Sequence, residues 1–137
     1  MVQVTATTII DQPNRSLVYH PKVLVVHHTI KGKLSSSEFR DLLTRGADCL
    51  EKYQATKWLS DDRKNGPISP ADAEWGETVW GTRVCKTGFK FWAIVVPVNA
   101  VGSLQMRRFA TEYRARGIEV SVFGDLDSAW SWLESAK

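Results

Sequence analysis

Cysteine is scarce in this chain: Cys49 and Cys85 are the only two. They form no CxxC pair and have no histidine at metal-ligand spacing, so the reading is a reduced, cytoplasmic chain in which both are small buried hydrophobes. Long apolar runs are missing too. The longest, residues 91–98, is far below the roughly 18 residues needed to span a bilayer. The opening MVQVTATTII has no basic stretch followed by an apolar one, so neither export nor membrane insertion is expected. No sign of charge dominates, because 18 Lys and Arg face 15 Asp and Glu for a net +3. That excess is too small and too dispersed to imply a nucleic-acid partner. Also absent are GxSxG, HExxH, a phosphate-binding P-loop and GxGxxG. Nucleophilic, metal and nucleotide mechanisms therefore lack their usual sequence support, and no catalytic residue, metal or cofactor is assigned. A non-enzymatic chain is expected.

What the chain does have is tryptophan, six in 137 residues. Each must be largely buried or lie at a binding surface. The length fits one domain, residues 1–137, and 43% hydrophobic residues suffice for a core without disulfides.

Val2 to Ile10 is β-branched and is broken by Asp11-Gln12-Pro13-Asn14, which predicts a strand and a turn. Ser16 to His20 and Val23 to Thr29 predict two more strands, so the chain opens as an antiparallel meander. Ser35 and Glu38 then form a capping box. Phe39, Leu42, Leu43, Leu50 and Tyr53 follow on one face of a helix, with small Gly46 and Ala47 between them. Ala55 to Ser60 is the next strand. A second helix is expected to start at Ser69, with Pro70 at its first position and Asp72 as a reciprocal cap. Its apolar pairs are Trp75 with Val79 and Trp80 with Val84, and Gly88 ends it. Phe89 to Pro97 is nearly continuous in apolar residues and predicts a central strand buried on both faces. Leu104 to Tyr113 gives a third helix, Ile118 to Phe123 a strand, and Asp125 caps a last helix facing inward with Leu126, Ala129, Trp130 and Leu133. Strand and helix alternate four times from Val23 onward. The expected fold is α/β, with a mixed, mainly parallel sheet, an antiparallel N-terminal edge and four helices.

The richest polar stretch is the loop and helix start at 61–75. Asp61, Asp62, Arg63 and Lys64 follow the strand, and Ser69, Asp72 and Trp75 open the helix. A carboxylate base with an arginine anion clamp is one reading of Asp61 to Arg63. Loop capping by aspartate with Arg63 paired to its neighbour is the favoured one. His27 and His28 are adjacent in a strand, point to opposite faces and so cannot ligate one metal together. Among the tryptophans, Trp75, Trp80, Trp130 and Trp132 are candidates for a ligand pocket. Helical spacing favours core packing for all but Trp132 and Trp75.

The order from TKWLSDD through ISPAD, FKFWAIVVP and IEVSVF to DLDSAWSWL resembles the STAS domains of the SpoIIAA-like superfamily. The match extends to D-x-R at Asp61 to Arg63, I-S-P-x-D-x-x-W at Ile68 to Trp75 and A-I-V-x-P at Ala93 to Pro97, a pattern of the bacterial STAS/SEC14-type proteins. The resemblance implies a regulatory domain related to anti-anti-sigma factors. Such a domain would dock a protein partner through residues 61–75, with Ser69 at the position that is phosphorylated in those proteins. The family's aspartate-serine-serine-glycine signature is here Ile68-Ser69-Pro70-Ala71, which favours Ser69 as a helix cap. SEC14-type relatives imply the alternative, a small-molecule or lipid-binding module built on the tryptophan-rich apolar faces.

Overall fold

The computed structural model describes residues 5–137. Six strands form one sheet in sequence order. β1 (Thr7–Gln12), β2 (Arg15–His20) and β3 (Val25–Ile30) pair antiparallel, and β4 (Lys57–Asp61), β5 (Phe91–Val95) and β6 (Glu119–Phe123) add parallel to β3. The expected mixed α/β sheet with its antiparallel edge is therefore present. The first predicted strand began partly outside the described residues. Its observed end is later than expected, because Asp11 and Gln12 still pair with Ser16 and Arg15 and only Pro13-Asn14 turn. Val23 lies in the turn before β3 rather than in the strand, and the next residue, Leu24, takes a left-handed φ of 60°.

Helix α1 (Ser36–Tyr53) begins at the predicted capping box, with Ser35 accepting from the Glu38 amide and Glu38 reaching back to Ser35. The Glu38 carboxylate also meets Arg15 at 3.0 Å, tying the hairpin to the helix start. α2 (Pro70–Trp75) runs without a break through a π-helical turn (Gly76–Trp80) into α3 (Gly81–Val84). α4 (Leu104–Ala115) and α5 (Leu126–Ser135) follow, capped by Ser103 and Asp125. Among the described residues no helix is long and apolar enough to cross a membrane.

Two apolar cores flank the sheet. Helices α1 to α4 cover one face, where Trp58, Trp80 and Trp92 pack with Leu42, Leu50 and Tyr113. α5 covers the other, closing Ala129 and Leu133 over Val25, Leu59, Phe91 and Val95. Lys57, also on that face, donates from Nζ to the Leu133 carbonyl at 2.5 Å, placing a cation where the dipole of α5 favours one. Trp132 packs against Phe91 and Phe123.

The π-helical turn overturns one expectation. In a regular helix Val79 would share the face of Trp75, but Val79 is 57% exposed whereas Trp80 and Val84 are buried. One extra residue in the turn rotates everything after it by about 100°, so Val79 moves outward and Trp80 takes the inner position.

Candidate functional site

Parallel strands in an α/β sheet carry their ligands at the carboxyl ends, and the ends of β3, β4 and β5 lie beneath a cavity of about 240 Å³. Register explains its floor. His28 pairs with Ser60, and Ser60 with Ile94, so these three stand side by side on the face that α1, the α2–α3 rod and α4 cover. Leu43, Trp80, Trp92, Phe109 and Tyr113 make the walls. Trp92 lies edge-on to both Phe109 and Tyr113, with centroids 5.1 and 4.9 Å away.

The polar groups of the floor are ordered by two indoles. Trp58 Nε1 donates to His28 Nδ1 at 3.0 Å, and both side chains are buried. An indole nitrogen can only donate, so Nδ1 is the accepting nitrogen. His28 Nε2–H then donates to Asp62 Oδ1 at 2.8 Å. With both ring nitrogens engaged, this imidazole has no free lone pair to take a proton from a ligand. Trp92 Nε1 donates to Ser60 Oγ at 2.8 Å. Among the described residues no acceptor stands within reach of the Ser60 hydroxyl proton, which leaves one buried donor at the cavity floor.

The π-helical turn forms one side of the opening. Two of its carbonyls take bonds from the end of α4: Tyr113 Oη donates at 3.3 Å to the Gly76 carbonyl, which also accepts the Gly81 amide, and Arg116 Nη1 donates to that of Glu77 at 3.1 Å. Burial pushes the Tyr113 phenol well above its ordinary value, so it stays a donor. Contact with the Glu77 carboxylate across the opening raises the Glu112 carboxyl.

The side chains of residues 61–75 divide between the two faces of the sheet and a surface groove that Lys64, Ser69 and Asp72 line together. Asp61 is 5% exposed and follows Lys57 and Leu59 onto the α5 face of the sheet. There it accepts from Arg63 Nε at 2.8 Å and Nη2 at 2.7 Å. Burial pushes the Asp61 carboxyl up, but the arginine outweighs it and the net shift is downward. Asp62 turns the other way, to His28 and the cavity. Lys64 is exposed on the loop. Ser69 Oγ accepts from the Asp72 amide at 3.2 Å and caps α2. The reciprocal half of that cap is a correction: the Asp72 carboxylate accepts from Ser36 Oγ at 2.5 Å and Arg40 Nε at 2.9 Å instead. Ser36 first, then Arg40, hold its carboxyl below the ordinary range. Trp75 is half-buried, with the Arg40 guanidinium 5.4 Å from its ring centre.

Of the four tryptophans considered for a pocket, Trp80 lines this cavity, together with Trp92, which the sequence reading left in a buried strand. Trp130 and Trp132 lie on the opposite face. His28, Ser60 and Trp92 were missed as a site because they come from three strands. Only the strand register brings them together.

A sequence model of the SpoIIAA-like family matches residues 25–134. No curated protein matches the chain. An uncharacterized protein of the DUF3478 family from Shewanella loihica PV-4, whose crystal structure has a SpoIIAA-like fold, is similar with a TM-score of 0.60 at 20% identity, over 97% of this chain and 98% of that one. At that identity the likeness is one of fold. The family match reaches from β3 into α5 and so takes in the whole parallel sheet with every strand that floors the cavity: the chain belongs to the SpoIIAA-like family and is a STAS-type domain.

Proposed function

We propose that this STAS-type domain binds a small apolar or amphipathic molecule in the cavity between the sheet and helices α1 to α4. The carrying observation is the 240 Å³ aromatic cavity with the Ser60 hydroxyl and Asp62 at its floor. Protein interiors hold few voids larger than a water. This one sits just below the range of about 300–1,000 Å³ usual for ligand sites. An apolar cavity of about 150 Å³ holds benzene, so by proportion the ligand has roughly ten non-hydrogen atoms. Aromatic walls supply most of the affinity, and the floor groups orient a hydroxyl, amine or carbonyl.

A thermal-shift series with indole, 2-naphthol and cyclohexanol tests this reading. A ligand at 100 times its dissociation constant stabilises by about 2.7 kcal/mol. The expected result is a saturable rise in Tm for wild type that Met106→Trp abolishes by filling the cavity. No rise with any of the three, or equal rises in both proteins, sinks the proposal.

A second reading, docking of a protein partner through residues 61–75, is favoured by Ile68. It is 47% exposed and lies at the rim of the cavity beside Lys64. Affinity capture with wild type and an Ile68→Glu, Lys64→Glu variant tests it, and equal recovery by the two baits counts against it.

A further inference from the structure

The opposite face of the sheet carries a second group of chemistry-bearing side chains. The chain has three histidines. His28 has both ring nitrogens engaged, but the other two meet each other across β2 and β3. His20 Nε2 and His27 Nδ1 are 3.3 Å apart. The residues are diagonal neighbours, since His20 pairs with Val25 and His27 with Val18, and diagonal neighbours on one sheet face lie within reach of long side chains. At that separation the two nitrogens can share one proton as a long N–H···N hydrogen bond. The separation also equals the span of two nitrogens on one tetrahedral ion, because ligands at about 2.0–2.1 Å from zinc stand roughly 3.3–3.4 Å from each other.

The surroundings suit ligation. Thr29 Oγ1 lies 3.3 Å from His27 Nε2. That hydroxyl can accept from Nε2–H, which leaves the lone pair on Nδ1, the orienting role that outer partners play for metal-bound imidazoles. The Asp61 carboxylate is close enough to favour positive charge on His27. Trp130 of α5 stands edge-on to both rings, with centroids 4.9 and 5.5 Å away. Both rings are half-buried rather than sealed, which leaves a path for an ion and its waters.

The geometry points to a two-histidine site for a borderline divalent transition-metal ion, held by His20 Nε2 and His27 Nδ1 beneath Trp130. Among the described residues no group of three histidines, cysteines or carboxylates is placed to hold a metal, so water completes the coordination. Imidazole ligands select zinc, nickel and copper over magnesium and calcium, and copper binds tightest. An ion here clamps the β2–β3 hairpin beneath α5, on the face away from the cavity.

The test is calorimetric titration of the untagged protein with Zn2+, Cu2+ and Mg2+, with tryptophan fluorescence followed during the Cu2+ titration. The expected result is one saturable site for Zn2+, a tighter one for Cu2+, none for Mg2+, and Cu2+ quenching that is weaker in Trp130→Phe. His20→Asn and His27→Asn are each expected to lower Zn2+ affinity at least tenfold, and Thr29→Val by about 10–100-fold. Proton NMR of wild type covers the case in which a variant misfolds, because Zn2+ should shift the imidazole resonances of two histidines and leave the third unmoved. Absence of saturable binding at millimolar Zn2+, unchanged affinity in His20→Asn, or shifts confined to the third histidine overturns the site.

Discussion

Gly46→Ala is the substitution for which propensity and packing make opposite forecasts. Gly46 sits inside α1, where alanine in place of glycine normally gains about 1 kcal/mol. Here a Cβ would lie 2.0 Å from Cη2 of Trp58 and 2.8 Å from two further ring carbons. Carbon atoms pack at about 3.5–4.0 Å, so helix or indole must move by roughly 1.5 Å. Trp58 is fully buried, stands edge-on to Trp80 at 5.2 Å and is tied to His28 at 3.0 Å. Overpacking costs about 1–3 kcal/mol, and losing the indole's hydrogen bond adds about 1 kcal/mol. After the propensity gain, the net expectation is a loss of about 1–3 kcal/mol. For 137 residues that is a fall in Tm of roughly 3–12 °C. Urea unfolding followed by circular dichroism measures the loss. Trp58→Phe removes the colliding carbon, so alanine should cost less in that background, with a coupling of about 1–3 kcal/mol. A Gly46→Ala protein as stable as wild type, or more so, refutes the packing argument.

Ser69→Ala should cost about 0.5–2 kcal/mol as a lost cap, while Ser69→Asp, which can also cap, should melt close to wild type; equal losses in both would remove the capping role. At Gly76 an added Cβ meets nothing within 4 Å, but at Gly81 it lies 2.5 Å from Arg116 Nη1 and 2.9 Å from the Tyr113 hydroxyl. Gly76→Ala should therefore raise stability by about 0.5–1 kcal/mol and Gly81→Ala should lower it, a contrast that melts of the two variants read directly. Acid should act first through His27, which burial and its histidine neighbours hold at about 4 against an ordinary 6.5. Between those values the unfolded chain binds the proton more readily, so stability is intact above pH 6.5 and falls as pH drops towards 4, by about 3 kcal/mol in all. The paired carboxylates of Asp61, Asp72 and Asp125 are shifted below their ordinary value and contribute their losses at lower pH. Urea midpoints at pH 7 and 4.5 should differ less in His27→Gln than in wild type, and an equal difference would assign the slope elsewhere.

Local chemistry was enough to determine most of the elements. The capping box at Ser35 and Glu38, the cap at Ser69 with Pro70 after it, and the apolar run that became β5 each act over a few residues, so the chain itself carries their signal. The alternation of strands and helices was enough for the α/β class, because a parallel strand needs a helical crossover. The phase of the second helix was beyond the sequence, since nothing in Trp75 to Trp80 marks the π-helical turn. That turn is held by Tyr113 of α4 and Arg116 just after it, 37 and 39 residues away. The same holds for the loop at 61–75. Asp61, Asp62 and Arg63 read as one polar cluster, but consecutive residues leaving a strand point to opposite faces, and one carboxylate went to Arg63 and the other to His28. Strand register decided both candidate sites. It set His28 beside Ser60 and Ile94 under the cavity and His20 diagonal to His27 beneath Trp130, and register is a property of paired strands that no single strand's sequence contains.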